Sequence, residues 1–262
     1  MTASAGRPTA YADINALLAR LRASVDAILG PRRIAMYLEG SLALGDFTPG
    51  RSDIDFVVVT DADVSDAAFA ALQAMHARLA TDEPRWAPEL DGSYIARPAL
   101  RGDDPRPGPH PLLDRGSGTL ARVRPETGYW VIHRHIVREH GIALAGPPAA
   151  TLIDPVEPDE LRRAVLGLLR EWWAPMLTDP GLLQRSVFGY RCYTVLTMCR
   201  TLYTLEHGTI VTKPVAARWA LRTLAARWHP LIQAAQAWAA DTPPDLSQTL
   251  ALIAHVCDQC PR

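Results

Sequence analysis

Between Tyr11 and Leu29 the apolar residues recur at helical spacing. Leu17, Leu18, Leu21, Val25, Ile28 and Leu29 fall on one stripe, and Arg20 and Arg22 fall off it. That period predicts an amphipathic helix over about 11–29 rather than the continuous apolar core of a signal peptide. The pattern then shortens. "RIAMYL" reads as an apolar strand, a Gly-Ser turn follows, and "DIDFVVVT" is short and β-branched, a strand by composition and length. Ser65 or Asp66 can cap a helix running to about Leu79, and "SYIARPAL" has strand character again. Residues 101–119 are dense in Pro, Gly and charge and read as a long surface loop.

Beyond Pro155 the periodicity is helical almost throughout. Pro158 suits a first helical position and Asp159 and Glu160 a first turn. Leu161, Val165, Leu168, Leu169 and Trp172 make the buried stripe. "YRCYTVLTMCRTLYTLEHG" is a second helix closing at Gly208, and Thr212 can cap a third that begins near Pro214. "PLIQAAQAWAA" and "LSQTLALIAHVCDQC" complete the set. The expected fold class is α+β. A domain over 1–154, with a mixed β-sheet flanked by helices, precedes an α-helical bundle over 155–262.

One segment does not fit a purely structural reading. Side chains at i and i+2 of a strand share a face, so Asp53 and Asp55 project together while Ile54, Phe56 and Val58 pack behind them. Two neighbouring carboxylates repel, and both stay ionised comfortably only beside a hard divalent cation. Upstream, Gly40 allows close backbone approach to a phosphate. Ser41 adds a hydroxyl and an N–H where a helix is expected to start. Carboxylates holding Mg²⁺ beside a phosphate cradle make a site for phosphoryl or nucleotidyl transfer. A third carboxylate is available in "APELDGSYI". Asp91, directly ahead of the strand-like run, and Glu89 are two residues apart and could face the same side.

Composition narrows the partners. The 262 residues are 48% hydrophobic and 21% charged, enough for packed cores. With 27 basic and 28 acidic residues the net charge is -1, which gives no general basic surface for nucleic acid. No uninterrupted apolar run approaches the roughly 20 residues that a membrane-spanning helix needs. A cytoplasmic monomer is the simplest expectation. Cys257 and Cys260 have CxxC spacing, but a zinc site would need two more ligands. Cys192 and Cys199 sit inside an apolar helical pattern, so all four read as ordinary reduced thiols. His133, His135 and His140 lie in "YWVIHRHIVREHG" and read as surface or packed residues, because the first two do not share a helix face.

The order strand, Gly-Ser, about eleven residues, then Ser52-Asp53-x-Asp55 at the head of an apolar strand resembles the DNA polymerase β-like nucleotidyltransferase superfamily. "REHGIALAGPPAATLIDPV", "YTVLTMCRTLYTLEHGTIVTKPVAARWAL" and "HPLIQAAQAW" are similar to stretches of the streptomycin/spectinomycin adenylyltransferases, which are aminoglycoside nucleotidyltransferases. The resemblance implies ATP as co-substrate, Mg²⁺ on Asp53 and Asp55, and triphosphate contacts from Gly40, Ser41 and Ser52. It further implies a third carboxylate that takes the proton of the attacking hydroxyl, Asp91 being favoured and Glu89 the other candidate, cationic contacts from Arg200 and Lys213, and Trp238 near the adenine unless that residue is core. The implied acceptor is a hydroxyl of an aminoglycoside-type antibiotic. One departure concerns this acceptor. Where the family carries acids before the "VLTLCR"-like helix, "LLQRSVFGYRCYTVLTMCR" has Arg185 and Arg191 and no Asp or Glu. That change should weaken binding of a polycation. It leaves open another small hydroxylated acceptor, a protein side chain, or a non-catalytic nucleotide-binding protein.

Overall fold

The computed structural model describes residues 7–101, 108–115, 118–124, 128–185, 189–238 and 243–259. Helix α1 (Ala12–Leu29) buries Ile14, Leu17, Leu18, Leu21, Val25 and Leu29. Its start has no capping side chain. Instead Thr9 and Asn15 bond each other across the first turn through the Thr9 N–H (3.0 Å), the Thr9 hydroxyl (2.8 Å) and the Asn15 amide (2.9 Å). These contacts tie the segment that enters the helix to its first turn.

Six strands form one mixed sheet: β1 (Arg33–Leu38), β2 (Ile54–Thr60), β3 (Leu90–Ala96), β4 (His110–Leu113), β5 (Leu120–Val123) and β6 (Ile142–Ala145). Their order is β5-β4-β3-β2-β1-β6. The β2–β3 pair is parallel and the other neighbours are antiparallel. Strand β2 is central, so Phe56 through Val59 are buried on both faces, as its unbroken apolar run requires. The crossover from β2 to β3 runs through α3 (Asp66–Asp82), capped by Ser65, whose hydroxyl accepts from the Ala68 N–H at 3.3 Å. Behind the sheet, His76 of α3 meets the Tyr94 hydroxyl at 2.8 Å, and Phe56 lies against both rings.

Three expectations change here. "SYIARPAL" is strand only to Ala96, and Arg97–Arg101 turns into a short helix, α4. The stretch 101–119 is not wholly loop: its apolar His-Pro-Leu-Leu run is β4, which pairs with β3 on one side and β5 on the other. Residues 102–107 and 116–117 of that stretch lie outside those described, as does Cys260. Trp172 is 40% exposed, and Trp173 takes the buried position instead. The cause is a π-helical turn at Leu169–Trp173 after α6 (Pro158–Leu168), which shifts the inward face by one residue.

The chain divides into two compact units. One holds residues up to Pro125 together with His133–Pro155, and the other holds Glu126–Ile132 and Val156–Arg262. The second unit is helical. Its α8 (Tyr190–His207) is the most buried element, with α9 (Lys213–Thr223), α10 (His229–Ala237) and α11 (Leu246–Asp258) around it. Gly208 closes α8 in the left-handed region at φ 65°. Cys192 and Cys199 are buried in α8, and Cys257 is part-buried on α11. No described helix is long and apolar enough to cross a membrane.

Candidate active site

The β1–β2 hairpin builds the site. Its connection is α2 (Gly40–Leu44) followed by the loop to Asp53. Glu39, the residue between β1 and α2, donates its N–H to the Asp55 carbonyl at 3.0 Å, which holds the turn against the start of β2. Gly40 then passes so close that a Cβ there would stand 1.9 Å from Oδ2 of Asp55, and its φ of +59° is itself costly for other residues. Glycine is required at this position for two independent reasons. Ser41 follows with its hydroxyl oxygen buried and, among the described residues, without a hydrogen-bond partner. An orphaned buried hydroxyl of this kind is unfavourable unless something not yet bound completes it.

Asp53 ends the loop, and Asp55 is the second residue of β2, one strand repeat further. The parallel register sets Asp55 directly beside Asp91. Burial, reinforced by the charge of Asp53, pushes Asp91 up to about 7, and Asp114 acts in the same direction. A backbone N–H from Arg115, which donates to Asp91 Oδ2 at 3.3 Å, and the charge of His133 only partly offset this. Burial also raises Asp114 above the ordinary carboxylate range. Glu89 is used differently. Arg115 donates to Glu89 Oε2 from Nε at 2.7 Å and also to the Arg51 carbonyl at 3.2 Å, so this pair ties the ends of two loops together. Of the two candidates for third carboxylate, Asp91 is the one aligned with Asp55. Ser52 also has a local task, since its hydroxyl accepts from the Thr48 N–H at 3.0 Å and closes the loop before Asp53.

Among the described residues no three His, Cys, Asp or Glu side chains form a ready-made metal cage. Mg²⁺ does not ask for one, because it is commonly held by one or two carboxylates together with substrate phosphates and water. Asp53 and Asp55 supply such a pair. Burial first, and then the charges of Asp53 and Asp114, raise Asp91, and the missing Cβ at Gly40 makes room for the Asp55 carboxylate. The residues fit the ion.

Arg200 and Lys213 belong to the helical unit. Arg200 is part-buried on α8, two turns beyond Tyr193 and on the same face. Lys213 is the first residue of α9, after Thr212, whose hydroxyl caps the helix by accepting from the Val215 N–H. A cation is disfavoured at that end of a helix dipole. Its ammonium lies 4.5 Å from the Tyr193 ring centroid, a cation–π contact that partly compensates. Trp238, in the left-handed region at φ 48°, packs against Gly189, where a Cβ would meet its ring at 2.6 Å. Arg191 donates to the carbonyls of Leu183 (3.1 Å) and Pro244 (3.2 Å), which gives it a structural task. Residues 186–188 of the same stretch lie outside those described. The histidine segment held one residue that spacing did not single out. His133, on α5 (Tyr129–His140), is bonded to Glu39.

Comparison with known proteins agrees with this construction. Residues 18–90 match the nucleotidyltransferase domain, and that stretch carries Gly40, Ser41, Asp53 and Asp55. Residues 151–259 match the aminoglycoside adenylyltransferase C-terminal domain, a stretch that covers most of the helical unit. Aminoglycoside (3'') (9) adenylyltransferases of Klebsiella pneumoniae and Escherichia coli are each 39% identical over 102 residues. That stretch is 38% of this chain, and it spans only 36% and 35% of the two relatives' length. The spectinomycin adenyltransferase AAD(9) from Enterococcus faecialis, solved with ATP and spectinomycin, has the same fold. It superposes with a TM-score of 0.71 over 93% of this chain and 98% of that one, at 15% identity.

Proposed function

We propose that the protein transfers AMP from ATP to a hydroxyl of an aminoglycoside-type antibiotic and releases pyrophosphate. The observation that carries this reading is the register of β2 on β3. It brings Asp55 beside Asp91 within the electrostatic reach of Asp53, next to a glycine turn whose serine hydroxyl is buried without a partner. The adenylyltransferase relatives and the C-terminal domain match support the choice of AMP and of the acceptor class.

Asp53 and Asp55 would hold Mg²⁺, which when bound neutralises phosphate charge and favours attack at phosphorus. The Ser41 hydroxyl donates to a phosphate oxygen, and Gly40, whose absent Cβ makes room for the Asp55 carboxylate, turns the backbone towards the phosphate chain. Ser52 holds the loop that aims Asp53. The acceptor oxygen attacks the α-phosphorus, the bond from that phosphorus to the bridging oxygen breaks, and pyrophosphate leaves with the bond's electrons. Asp91 receives the hydroxyl proton. A carboxylate displaced towards neutrality is suited to that step, since a base works best near the operating pH. Arg200 and Lys213 are assigned to the triphosphate, whose charge exceeds what one divalent ion neutralises. The acceptor is a small molecule rather than nucleic acid, and the enzyme acts as a monomer.

A second reading keeps the reaction and changes the acceptor. The specific observation is the lack of acids in "LLQRSVFGYRCYT". Incubation with ATP, Mg²⁺ and a panel including streptomycin and spectinomycin, followed by pyrophosphate release and product mass, separates the two. An AMP adduct of an aminoglycoside is expected. ATP turnover only with other hydroxyl compounds would favour the second reading, and ATP binding without any turnover would mark a non-catalytic protein. Asp53→Asn with Asp55→Asn should lower transfer by a factor on the order of 10³ or more without lowering the unfolding temperature.

A further inference from the structure

Asp53 and Asp91 come from separate stretches of chain, and one residue is bonded to both stretches. Arg115 stands two residues beyond β4, where the antiparallel register that sets Leu113 beside Gly92 carries the chain past the start of β3. Its N–H donates to Asp91 Oδ2 at 3.3 Å. Its guanidinium reaches further. Nε (2.7 Å) and Nη2 both meet Glu89 Oε2, and Nη1 donates to the Arg51 carbonyl at 3.2 Å. Arg51 lies two residues before Asp53, in a turn closed on itself. The Thr48 carbonyl accepts from the N–H groups of Arg51 (3.1 Å) and Ser52 (2.9 Å), and the Ser52 hydroxyl accepts from the Thr48 N–H. A turn closed by three bonds moves as one piece, so a hold on the Arg51 carbonyl is a hold on Asp53. Glu89, at the other end of the clamp, is two residues from Asp91.

The spacing of these acids needs a restraint. Next to burial, it is the charge of Asp53 that raises Asp91, so the two repel, and a loop free to move would carry Asp53 away. A guanidinium suits the task because its N–H groups leave a planar fork in fixed directions. An ammonium, a point charge on a flexible stem, does not fix a carboxylate and a carbonyl relative to each other. The Arg115 side chain is 34% exposed and that of Glu89 25%, so the pair is mostly withdrawn from the water that makes a surface ion pair weak.

We infer that Arg115 is a positioning residue for the transfer reaction: through Glu89 and the Arg51 carbonyl it holds the Asp53 loop against the start of β3, so that the metal-binding pair and Asp91 keep their spacing before the ion arrives. This rests on the nucleotidyl-transfer reading, and the test separates the two. Mn²⁺, standing in for Mg²⁺, is titrated into full-length wild type, Arg115→Met and Arg115→Lys and followed by electron paramagnetic resonance. Transfer from ATP is measured with whichever acceptor of the panel the wild type modifies, and thermal unfolding is recorded alongside. Charge and position predict opposite signs for Arg115→Met. Deleting a cation near carboxylates should by charge alone tighten Mn²⁺, whereas loss of the clamp should weaken it, by about tenfold. Arg115→Lys keeps the charge and most of the packing, loses the fork, and should weaken Mn²⁺ as well, even if the methionine variant folds poorly. In both variants kcat should fall about tenfold or more while KM for the acceptor stays within about twofold, because a displacement of about 1 Å between reacting groups costs up to about a hundredfold. Mn²⁺ binding at least as tight as wild type, together with wild-type kcat in both variants, would overturn the role. A fall in unfolding temperature with both of those intact would do the same, since it marks a merely structural bridge. A wild type that neither binds Mn²⁺ nor transfers AMP to any acceptor would overturn the nucleotidyl-transfer reading itself, and the clamp's role with it.

Discussion

Two ionisable side chains, His76 on the helix behind the sheet and Asp91 on β3, respond to pH with opposite sign. His76 is buried behind β2 and β3 against Phe56 and Tyr94, and burial lowers it to about 4. Between that value and the ordinary 6.5 the unfolded chain binds a proton that the folded one does not, so stability falls as pH falls through this window. The full shift is worth about 3 kcal/mol. His76→Gln removes the term. In urea unfolding, the stability of wild type relative to His76→Gln should therefore drop by about 3 kcal/mol from pH 7 to pH 4. A gap constant with pH would show that His76 is not buried as the neutral form. Asp91 behaves conversely. Its folded value of about 7 lies above the ordinary 3.8, so stability is present at low pH and is lost as pH rises between the two. In metal-free protein at pH 8, Asp91→Asn should be more stable than wild type by up to about 4 kcal/mol, a gap that closes below pH 4. The same change should abolish most transfer. A destabilised Asp91→Asn would mean that the carboxylate is held by partners rather than strained by its neighbours.

The parallel pairing of β2 with β3 fixes the spacing of the carboxylates, and a glycine makes that pairing possible. Gly92 stands opposite Phe56, and a Cβ there would meet the Phe56 ring at 2.3 Å. Phe56 is itself packed against His76 and Tyr94, with ring centroids 6.1 and 6.0 Å away. Gly92→Ala should cost about 2–3 kcal/mol by overpacking and should also reduce transfer, because the shift falls one residue from Asp91. Equal stability of the two proteins by chemical denaturation would show that the ring can move. Elements of this kind also explain what was readable in the amino-acid order. Helix α1 and strand β2 were legible because burial imposes its period on contiguous residues, and the Gly40–Ser41 and Asp53–Asp55 signals are likewise local. Strand β4 was not, since a four-residue run amid Pro and Gly carries no period, and its pairing with β3 is a tertiary fact. The inward turn of Trp173 depends on a π-helical step that a 3.6-residue stripe cannot reveal. Glu39 and His133 were missed for the same reason: each looks ordinary alone, and only the fold joins them.

At the scale of the whole chain, each unit has its own core. One is built on α1, α3 and the sheet, the other on α8 and the helices around it. A ligand binding only the native form stabilises whatever it touches by RT ln(1 + [L]/Kd), about 2.7 kcal/mol at a hundredfold excess over Kd. In a chain of this size that corresponds to a rise of roughly 5–10 °C in unfolding temperature. The proposed function gives nucleotide ligands to both units: Gly40, Ser41, Asp53 and Asp55 in the first, Arg200 and Lys213 in the second. Differential scanning calorimetry with Mg²⁺ and a non-hydrolysable ATP analogue should therefore move the unfolding of both units upward. Arg200→Ala with Lys213→Ala should leave the ligand-free scan nearly unchanged, because both side chains are only part-buried. At the same ligand concentration the double variant should lose most of the upward shift, since removing two charge-assisted phosphate contacts weakens binding by about a hundredfold. Mg²⁺ alone should give a small shift that Asp53→Asn with Asp55→Asn removes and the double cation variant keeps. The carboxylates and the cations then act as separable parts, one set holding the ion and the other the phosphate charge that the ion leaves over. A full nucleotide shift in the Arg200→Ala, Lys213→Ala variant would confine nucleotide binding to the first unit and leave the helical unit for the acceptor alone.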